Sequence, residues 1–288
     1  MLRLVRHAAA LCLALGLTVP AGATDAPAPL RVMTFNVRTT IGVNDGREAW
    51  PKRRDLFIAT IRAAHPDVMG TQELSQMQGD HIVARLPGYA WFGIDRQGGH
   101  KDEHMGVFYR RDRLDLVRQG NFWLSETPDV VASNTWHTPF PRMVTWGLFE
   151  DKATARRFYF FNTHFPYRDE DEAIRTREAE VLIDQIAKIN AEGLPLVLTG
   201  DFNTTPGSGA YEIVSRALTD IRKAAPEVGG PDETFHGWTG KADKRIDWMF
   251  ERGFTPLSDT TLTTHRGTLY PSDHFPVLAV LDWGRERS

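Results

Sequence analysis

The sequence has almost no cysteine and no marked excess of charge of either sign. A single cysteine in 288 residues excludes a framework of intramolecular disulfides. Lys and Arg total 34 and Asp and Glu total 37, so the net charge of −3 gives no basic excess of the kind that indicates a nucleic-acid-binding protein. Hydrophobic residues make up 41% of the chain, a value typical of globular proteins and not of disordered chains.

Long hydrophobic runs are also lacking, apart from one near the start of the chain. Two arginines precede an apolar run at 8–19, and small residues follow it at 21–23. This order of features is typical of a secretory signal peptide, and the run is shorter than the ~20 residues that a membrane-spanning helix needs. We therefore expect export to the periplasm or the medium, with cleavage near Ala23 that also removes Cys12.

The rest of the chain contains no linker, repeat or low-complexity stretch that would divide it. We expect a signal peptide at 1–23, a short leader at 24–29 and a single domain at 30–288. No later segment is apolar enough to span a membrane. We expect the mature protein to be a monomer.

Strand-like runs outnumber helical patterns along this domain. Runs rich in Val, Phe, Leu and Trp predict strands at 30–37, 67–71, 105–109, 143–149, 158–163, 194–199, 246–250 and 276–281. Apolar residues at helical spacing predict helices at 53–64, 75–86, 171–190 and 208–218. Many strands with fewer helices indicate an α/β protein in which two packed sheets are covered by helices.

Polar residues follow several of these strands, where loops commonly carry catalytic groups. Asp201 and Asn203 lie two residues apart after the strand at 194–199, and so on the same side of an extended chain. They would suit a hard cation or a water molecule, although an Asx-turn that closes the strand explains the same two residues.

Asp273 and His274 form a second candidate group, just before the strand at 276–281. The imidazole titrates near neutral pH and can accept a proton from water, whereas a capped turn would need no chemistry. Asp247 lies in an otherwise apolar strand, where an unpaired charge is unfavourable, so a histidine or a metal is its expected partner.

Three further polar residues lie at strand ends: Asn36, Glu73 and His164. Each of them alone is more often a structural or a surface group. Together with the residues above they make eight polar groups in equivalent positions. No Gly-x-Ser-x-Gly elbow, Walker loop or His-Glu-x-x-His motif in the sequence offers another chemistry.

With this set, the sequence resembles the endonuclease/exonuclease/phosphatase superfamily of metal-dependent phosphoesterases. The motifs that carry the resemblance are FNVR at 35–38, TQEL at 71–74, NTHF at 162–165, GDFN at 200–203, RIDWMF at 245–250 and SDHFPV at 272–277. The resemblance covers about 30–281. It implies a four-layer α/β/β/α sandwich of two packed, mostly antiparallel sheets, with the site at one end of them.

The resemblance also implies a metal centre. Glu73 would be the principal ligand of Mg²⁺, with Asn36 and Asp273 nearby, and Mn²⁺ and Ca²⁺ are alternative ions. Asp201 and Asn203 would orient the nucleophile or hold a second cation. Such a metal can supply Lewis acidity at a phosphate group.

The remaining residues would act on the proton and on the phosphate. By the same resemblance, Asp247 would pair with His274, and His164 would face the phosphate oxygens. Glu103 would correspond to the carboxylate that pairs with the first histidine, and Arg142 to an arginine that contacts phosphate. Cationic and hydrogen-bonding groups in these places can stabilise charge on the nonbridging oxygens.

These residues predict an exported, divalent-metal-dependent hydrolase of phosphate esters, either a phosphodiesterase or a phosphomonoesterase. The alternative is an inactive scaffold that binds phosphorylated ligands, and the complete set of eight groups favours the enzyme. The motifs leave the substrate open between a nucleic acid, a sugar phosphate and a phospholipid headgroup.

Residues outside the motifs are candidates for substrate specificity. Aromatic residues at 120–123 and 234–238 would stack on a base or a sugar, unless they belong to the core. His236, Lys244 and Arg245 lie near the site in sequence and are further candidates.

Overall fold

The computed structural model describes residues 28–284, so the predicted signal peptide and residues 24–27 of the predicted leader lie outside the described residues. The strands, in chain order, are β1 (Leu30–Asn36), β2 (Val68–Gln72), β3 (Tyr89–Phe92), β4 (Val107–Arg110), β5 (Leu114–Trp123), β6 (Met143–Asp151), β7 (Arg157–His164), β8 (Leu196–Asp201), β9 (Thr219–Asp220), β10 (Glu227–Gly229), β11 (Asp247–Arg252), β12 (Phe254–Thr261) and β13 (Val277–Trp283). The helices are α1 (Trp50–Ala64), α2 (Gln76–Arg85), α3 (Glu172–Ile189), α4 (Gly209–Ala217) and α5 (Ile221–Ala224), with 3₁₀ turns at Gly46–Glu48 and Asp169–Asp171.

The strands form two mixed sheets. The first sheet has seven strands in the order β10-β12-β13-β1-β2-β4-β3, and the second has six in the order β5-β6-β7-β8-β11-β9. Within these sheets the parallel neighbours are β1 with β2, β7 with β8, and β10 with β12. The other neighbours are antiparallel, so the expectation of two mostly antiparallel sheets is confirmed.

Three apolar clusters lie between the four layers of helices and sheets. One cluster fills the space between the two sheets and includes Val32 and Phe160. A second lies under α1 and α2, where Phe57 stacks on Phe35 with ring centroids 4.4 Å apart. A third lies under α3 and α4, where Leu182 packs with residues of the second sheet. The predicted α/β/β/α sandwich is therefore confirmed.

Each predicted strand and helix is present, with its ends displaced by three residues or fewer. Among the strands of four residues or more, sequence patterns did not predict β3, β5 and β12. β5 lies at the edge of its sheet and exposes several polar residues, which weakens the apolar pattern. β12 contains Pro256 at a register shift, where a missing backbone N–H is tolerated.

None of the helices among residues 28–284 combines the length and the apolarity that crossing a bilayer requires.

Candidate functional site

A cleft of about 1020 Å³ opens at one end of the two sheets. β1, β7 and β8 end there with Asn36, His164 and Asp201. Because side chains alternate along a strand, these residues continue the inner faces of the two sheets and point toward each other. The predicted site residues that line the cleft are Glu73, Glu103, Arg142, His164, Asp201, Asn203, Asp273 and His274. Asn36 and Asp247 lie behind them and are hydrogen-bonded to lining residues.

The chain turns sharply just after β1, β2 and β8, where these strands reach the cleft. Arg38, Glu73 and Asn203 have positive φ angles of 56°, 60° and 50°. A left-handed backbone is unfavourable for residues other than glycine and persists only where the surrounding structure holds it, and such residues cluster at functional sites. The motifs FNVR, TQEL and GDFN therefore encode turns as well as functional groups.

Asn36 links the two carboxylates at the centre of the cleft. Its Nδ2 donates to Oε1 of Glu73 at 3.0 Å and to Oδ2 of Asp201 at 2.9 Å. The backbone N–H of Thr39 donates to the other oxygen of Glu73 at 3.0 Å. Nε2 of His164 lies 3.6 Å from Oδ2 of Asp201. Ligand atoms of Glu73, His164 and Asp201 all lie within 4.8 Å of one another, a spacing that can hold a metal ion.

This donor set fits a hard divalent cation, because Mg²⁺ and Mn²⁺ prefer carboxylate oxygens. Asp273 lies in the same cleft, where Arg38 reaches it at 3.8 Å and reaches Glu73 at 3.9 Å. Oδ1 of Asn36 accepts the backbone N–H of Arg38 at 2.9 Å. In this arrangement the amide nitrogen of Asn36 orients Glu73 and Asp201.

The structure brings Asp247 and His274 together. Nδ1 of His274 donates to Oδ2 of Asp247 at 2.9 Å, and Nε2 of His274 lies 3.8 Å from Oδ2 of Asp201. Burial opposes a charge on His274, but the carboxylates of Asp247 and Asp201 outweigh it and raise the pKa of His274 to about 10. Burial and the charge of Asp247 raise the pKa of Asp201 to about 7. The three side chains lie close enough for the ionisation of each to depend on the charge of the others.

Arg142 supplies a buried positive charge with free donors. Its Nε and Nη1 have no hydrogen-bond partner within the part of the chain that the structure describes. Burial and the charge of Arg142 lower the pKa of His164 well below its ordinary value, so this imidazole is neutral. The amide nitrogen of Asn203 lies 3.0 Å from Nε2 of His164 and donates to it. Unpaired N–H groups on a buried cation favour an anion that enters the cleft.

Glu103 does not pair with His164, contrary to expectation. Nη1 of Arg96 lies 2.8 Å from Oε2 of Glu103, and its Nη2 lies 2.9 Å from Oδ1 of Asp102. The guanidinium also lies over the ring of Phe140, 3.9 Å from its centroid. Arg96 and Glu103 belong to the same loop, and the fold of that loop decides the pairing, which a comparison of short motifs does not reveal.

The candidate specificity residues lie in different environments, some in the cleft and others buried in the fold. Lys244 lines the cleft, as expected. Arg245 is instead buried in an ion pair with Asp220 at 2.7 Å, and His236 is buried as well. The aromatic residues at 120–123 belong to the core, so they are not available to stack on a substrate. Phe122 packs in the apolar cluster under α3 and α4, and Trp123 packs with Met105 and Met143.

Apart from Glu103, sequence reasoning missed one wall of the cleft, the loop at 95–104. The buried carboxylate of Asp95 accepts four backbone N–H groups of this loop at 2.6–2.8 Å. Burial opposes its ionisation, but these hydrogen bonds outweigh burial and lower the pKa of Asp95. The loop thereby presents Arg96, Gln97 and Lys101 to the cleft. The signal in the sequence is a pair of glycines flanked by charged residues, away from any strand end.

A family model described as "Endonuclease/Exonuclease/phosphatase family" matches residues 33–274. A structure of a protein of that family from Bacteroides thetaiotaomicron is 32% identical, with a TM-score of 0.84 over 90% of this chain and 99% of that one. The mannosyl-6-phosphatase of the same organism is also 32% identical, with a TM-score of 0.81 over 88% of this chain and 99% of that one.

Among curated sequences, human 2′,5′-phosphodiesterase 12 is 22% identical over 283 residues, which include 80% of this chain and 46% of that protein. The chain spans about half the length of the curated relatives it matches.

Proposed function

Because this chain belongs to the endonuclease/exonuclease/phosphatase family, a family of phosphoric ester hydrolases, we propose that it hydrolyses phosphate esters with a divalent cation. The main observation behind the proposal is that three sets of functional side chains lie together in or directly behind one cleft. These are the linked carboxylates of Glu73 and Asp201, the hydrogen-bonded pair of Asp247 and His274, and the unpaired guanidinium of Arg142. Hydrolysis at phosphorus needs an activated water and donors for the nonbridging oxygens, and these groups are suited to both tasks.

Glu73 would hold the cation, with Asp201 and Asp273 beside it. When bound, Mg²⁺, Mn²⁺ or Ca²⁺ supplies Lewis acidity at the phosphate. Asp247 holds the imidazole of His274 by accepting the proton on Nδ1, which leaves Nε2 directed toward Asp201. We assign the proton given up by the attacking water to Asp201, because the raised pKa of His274 leaves that imidazole protonated near neutral pH.

We further propose that the substrate is a small monoester with an uncharged, hydroxylated leaving group, as in a sugar phosphate. Ion pairs neutralise the lining arginines Arg38 and Arg96, whereas Arg142 has no ion pair among the described residues. Among the described lining residues, Arg142 is therefore the one buried cation without an ion pair, and two exposed lysines, Lys101 and Lys244, also line the cleft. A nucleic acid brings several phosphates and favours a row of exposed basic residues. The similarity to a mannosyl-6-phosphatase supports the same substrate class.

The test is a panel of phosphate esters with and without Mg²⁺ or Mn²⁺. The panel contains mannose 6-phosphate, p-nitrophenyl phosphate, bis-p-nitrophenyl phosphate, DNA and a phospholipid. We expect metal-dependent release of phosphate from the two monoesters and little turnover of the others. Cleavage of the diesters alone would contradict the substrate class. Binding of phosphate esters without turnover of any would instead support the inactive scaffold.

Glu73→Gln tests the metal centre separately from activity. The substitution removes a negative charge from the candidate ligand and keeps its shape, so we expect the affinity for Mg²⁺ to fall by at least about tenfold. Calorimetric titration with Mg²⁺ measures the change. Asp169→Asn is the matched control, because Asp169 lines the same cleft outside the carboxylate cluster. Equal affinities in the wild type and in Glu73→Gln would remove Glu73 from the metal centre.

We also propose that the protein is exported, on the basis of the charged, apolar and small-residue segments at 1–23. N-terminal sequencing of protein recovered outside the cytoplasm should begin at or near Thr24. Cytoplasmic protein that retains residues 1–23 would contradict export.

A further inference from the structure

Four buried polar side chains lie between the sheets, directly beneath the cleft. They are Thr34, Gln72, Asn162 and Thr199, and each has 0% exposure. Each lies one or two residues before a site residue at the end of its own strand or directly after it, namely Asn36, Glu73, His164 and Asp201. The apolar layer between the sheets thus changes to a polar one just before the site begins.

Hydrogen bonds connect these side chains across the gap between the sheets. Nε2 of Gln72, on the first sheet, donates to Oδ1 of Asn162, on the second, at 2.7 Å, and to Oγ1 of Thr34 at 3.2 Å. Oγ1 of Thr199 donates to the same oxygen of Asn162 at 3.0 Å. Nδ2 of Asn162 donates to two backbone carbonyls on the side of the first sheet, at 2.8 and 3.2 Å.

The two backbones approach each other closely at this level. A Cβ atom on Gly70 of β2 would lie 2.2 Å from Oγ1 of Thr199 and 2.5 Å from Oδ1 of Asn162. The absence of a side chain at Gly70 is therefore what allows the second sheet's polar groups to reach the first sheet. Apolar contacts are non-directional, whereas buried hydrogen bonds have preferred distances and angles.

We propose that Thr34, Gln72, Asn162 and Thr199 are positioning residues for the reaction, and we name them the inter-sheet network. The site is divided between the sheets, with Glu73 on the first and His164 and Asp201 on the second. The inter-sheet network sets the distance between these halves. A misplacement of about 1 Å can lower a rate by as much as about 100-fold, so a small slide of one sheet would be sufficient to impair turnover.

Thr199→Val is the test, because it removes the hydroxyl and keeps the branched shape. Thr60→Val is the matched control: Thr60 is buried as well, its hydroxyl donates to the backbone carbonyl of Leu56, as that of Thr199 does to the carbonyl of Phe161, and it lies on α1 away from the cleft. Thr199→Ser restores the hydroxyl. Gln72→Met, which removes both donors of that side chain, gives a second variant on the opposite sheet.

We expect Thr199→Val and Gln72→Met to lower kcat about tenfold with little change in KM, and Thr199→Ser to recover most of the loss. Thr60→Val should lower the unfolding midpoint as much as Thr199→Val does and leave kcat unchanged. Equal kcat in Thr199→Val and wild type, or an equal loss in Thr60→Val, would overturn the proposal.

The turnover readout depends on the proposed hydrolase function, and a second readout does not. In imidazole NMR spectra, the signals of His164 and His274 should be displaced in Thr199→Val and unchanged in Thr60→Val. A wild type that hydrolyses no ester would contradict the proposed function, whereas histidine signals that stay in place in Thr199→Val would contradict the positioning role.

Discussion

His274 has carboxylates on two sides, and this arrangement explains why a charged residue is tolerated in β11. Asp247 lies in an apolar strand and is almost completely buried, so it needs a partner that balances its charge. The hydrogen bond to Nδ1 of His274 provides that partner and also fixes which imidazole nitrogen points toward Asp201. The two residues therefore act as one unit.

His274→Ala should lower kcat by roughly 10²–10⁴, the usual range for a positioned group that transfers a proton. Asp247→Asn should also lower kcat, because an amide can present a donor to Nδ1 and favour the wrong tautomer. Since the two residues act as a unit, the double variant should be little worse than His274→Ala. Steady-state kinetics at saturating Mg²⁺ measures these values.

Glu251→Gln is the control for these variants, because Glu251 is a buried carboxylate on the same strand that contacts the backbone of Phe254 away from the cleft. It should retain the wild-type kcat. Multiplicative losses in the double variant of His274 and Asp247 would show that the two side chains act independently.

At the level of secondary structure, three of the described helices, α2, α4 and α5, begin at a residue whose side chain caps them. Ser75 and Gln78 form a capping box at the start of α2, and Ser208 caps α4. These caps explain why the predicted helices at 75–86 and 208–218 match the observed ones closely. Asp220 caps the short α5 with its side chain and joins it to the second sheet.

Asp220 makes stability dependent on pH. Burial opposes its ionisation, but the ion pair with Arg245 and the hydrogen bond from Tyr211 outweigh burial and lower the pKa of Asp220. Because the folded pKa lies below the unfolded value of about 3.9, this stabilisation is present above about pH 4 and is lost as the pH falls through the folded pKa.

Asp220→Asn should therefore lower the free energy of unfolding at pH 7 by about 3–5 kcal/mol, the range for breaking a buried ion pair. The deficit should shrink toward pH 3, because below about pH 4 the carboxyl of the unfolded wild-type chain takes up a proton that the folded protein does not yet bind. Urea denaturation at both pH values measures this difference. Asp112→Asn breaks the exposed ion pair with Arg110 and should change stability by less than about 1 kcal/mol. A deficit that is the same at pH 3 and pH 7 would contradict the assignment.

Across the whole molecule, the close approach of the sheets at Gly70 makes the fold sensitive to one added methyl group. Gly70→Ala should destabilise the protein by about 1–3 kcal/mol, because overpacking forces buried neighbours to shift. Gly88→Ala is the matched control, since a Cβ on Gly88 meets no atom within 4 Å. Thermal or urea unfolding compares the two. A similar stability for both variants would contradict the close sheet contact.

Periodicity determined the elements with strong local patterns. The apolar runs that precede Asn36, His164 and Asp201 are buried strands, and the amphipathic pattern at 171–190 is α3. Local patterns were sufficient there because burial on a strand or on one helix face constrains residue type at each position. β5 and β12 were missed because partly exposed strands with polar residues or proline lack that constraint.

The sequence alone determined which residues lie at strand ends, and its motifs placed them in one family and one layered fold. Only the tertiary structure decided their partners. It pairs Glu103 with Arg96, turns the amide of Asn36 toward two carboxylates, and joins Gln72 to Asn162 across the sheets. The physical reason is that such pairings depend on loop conformation and on the register between two sheets. Both arise from contacts between residues far apart in the chain, and no short motif contains them.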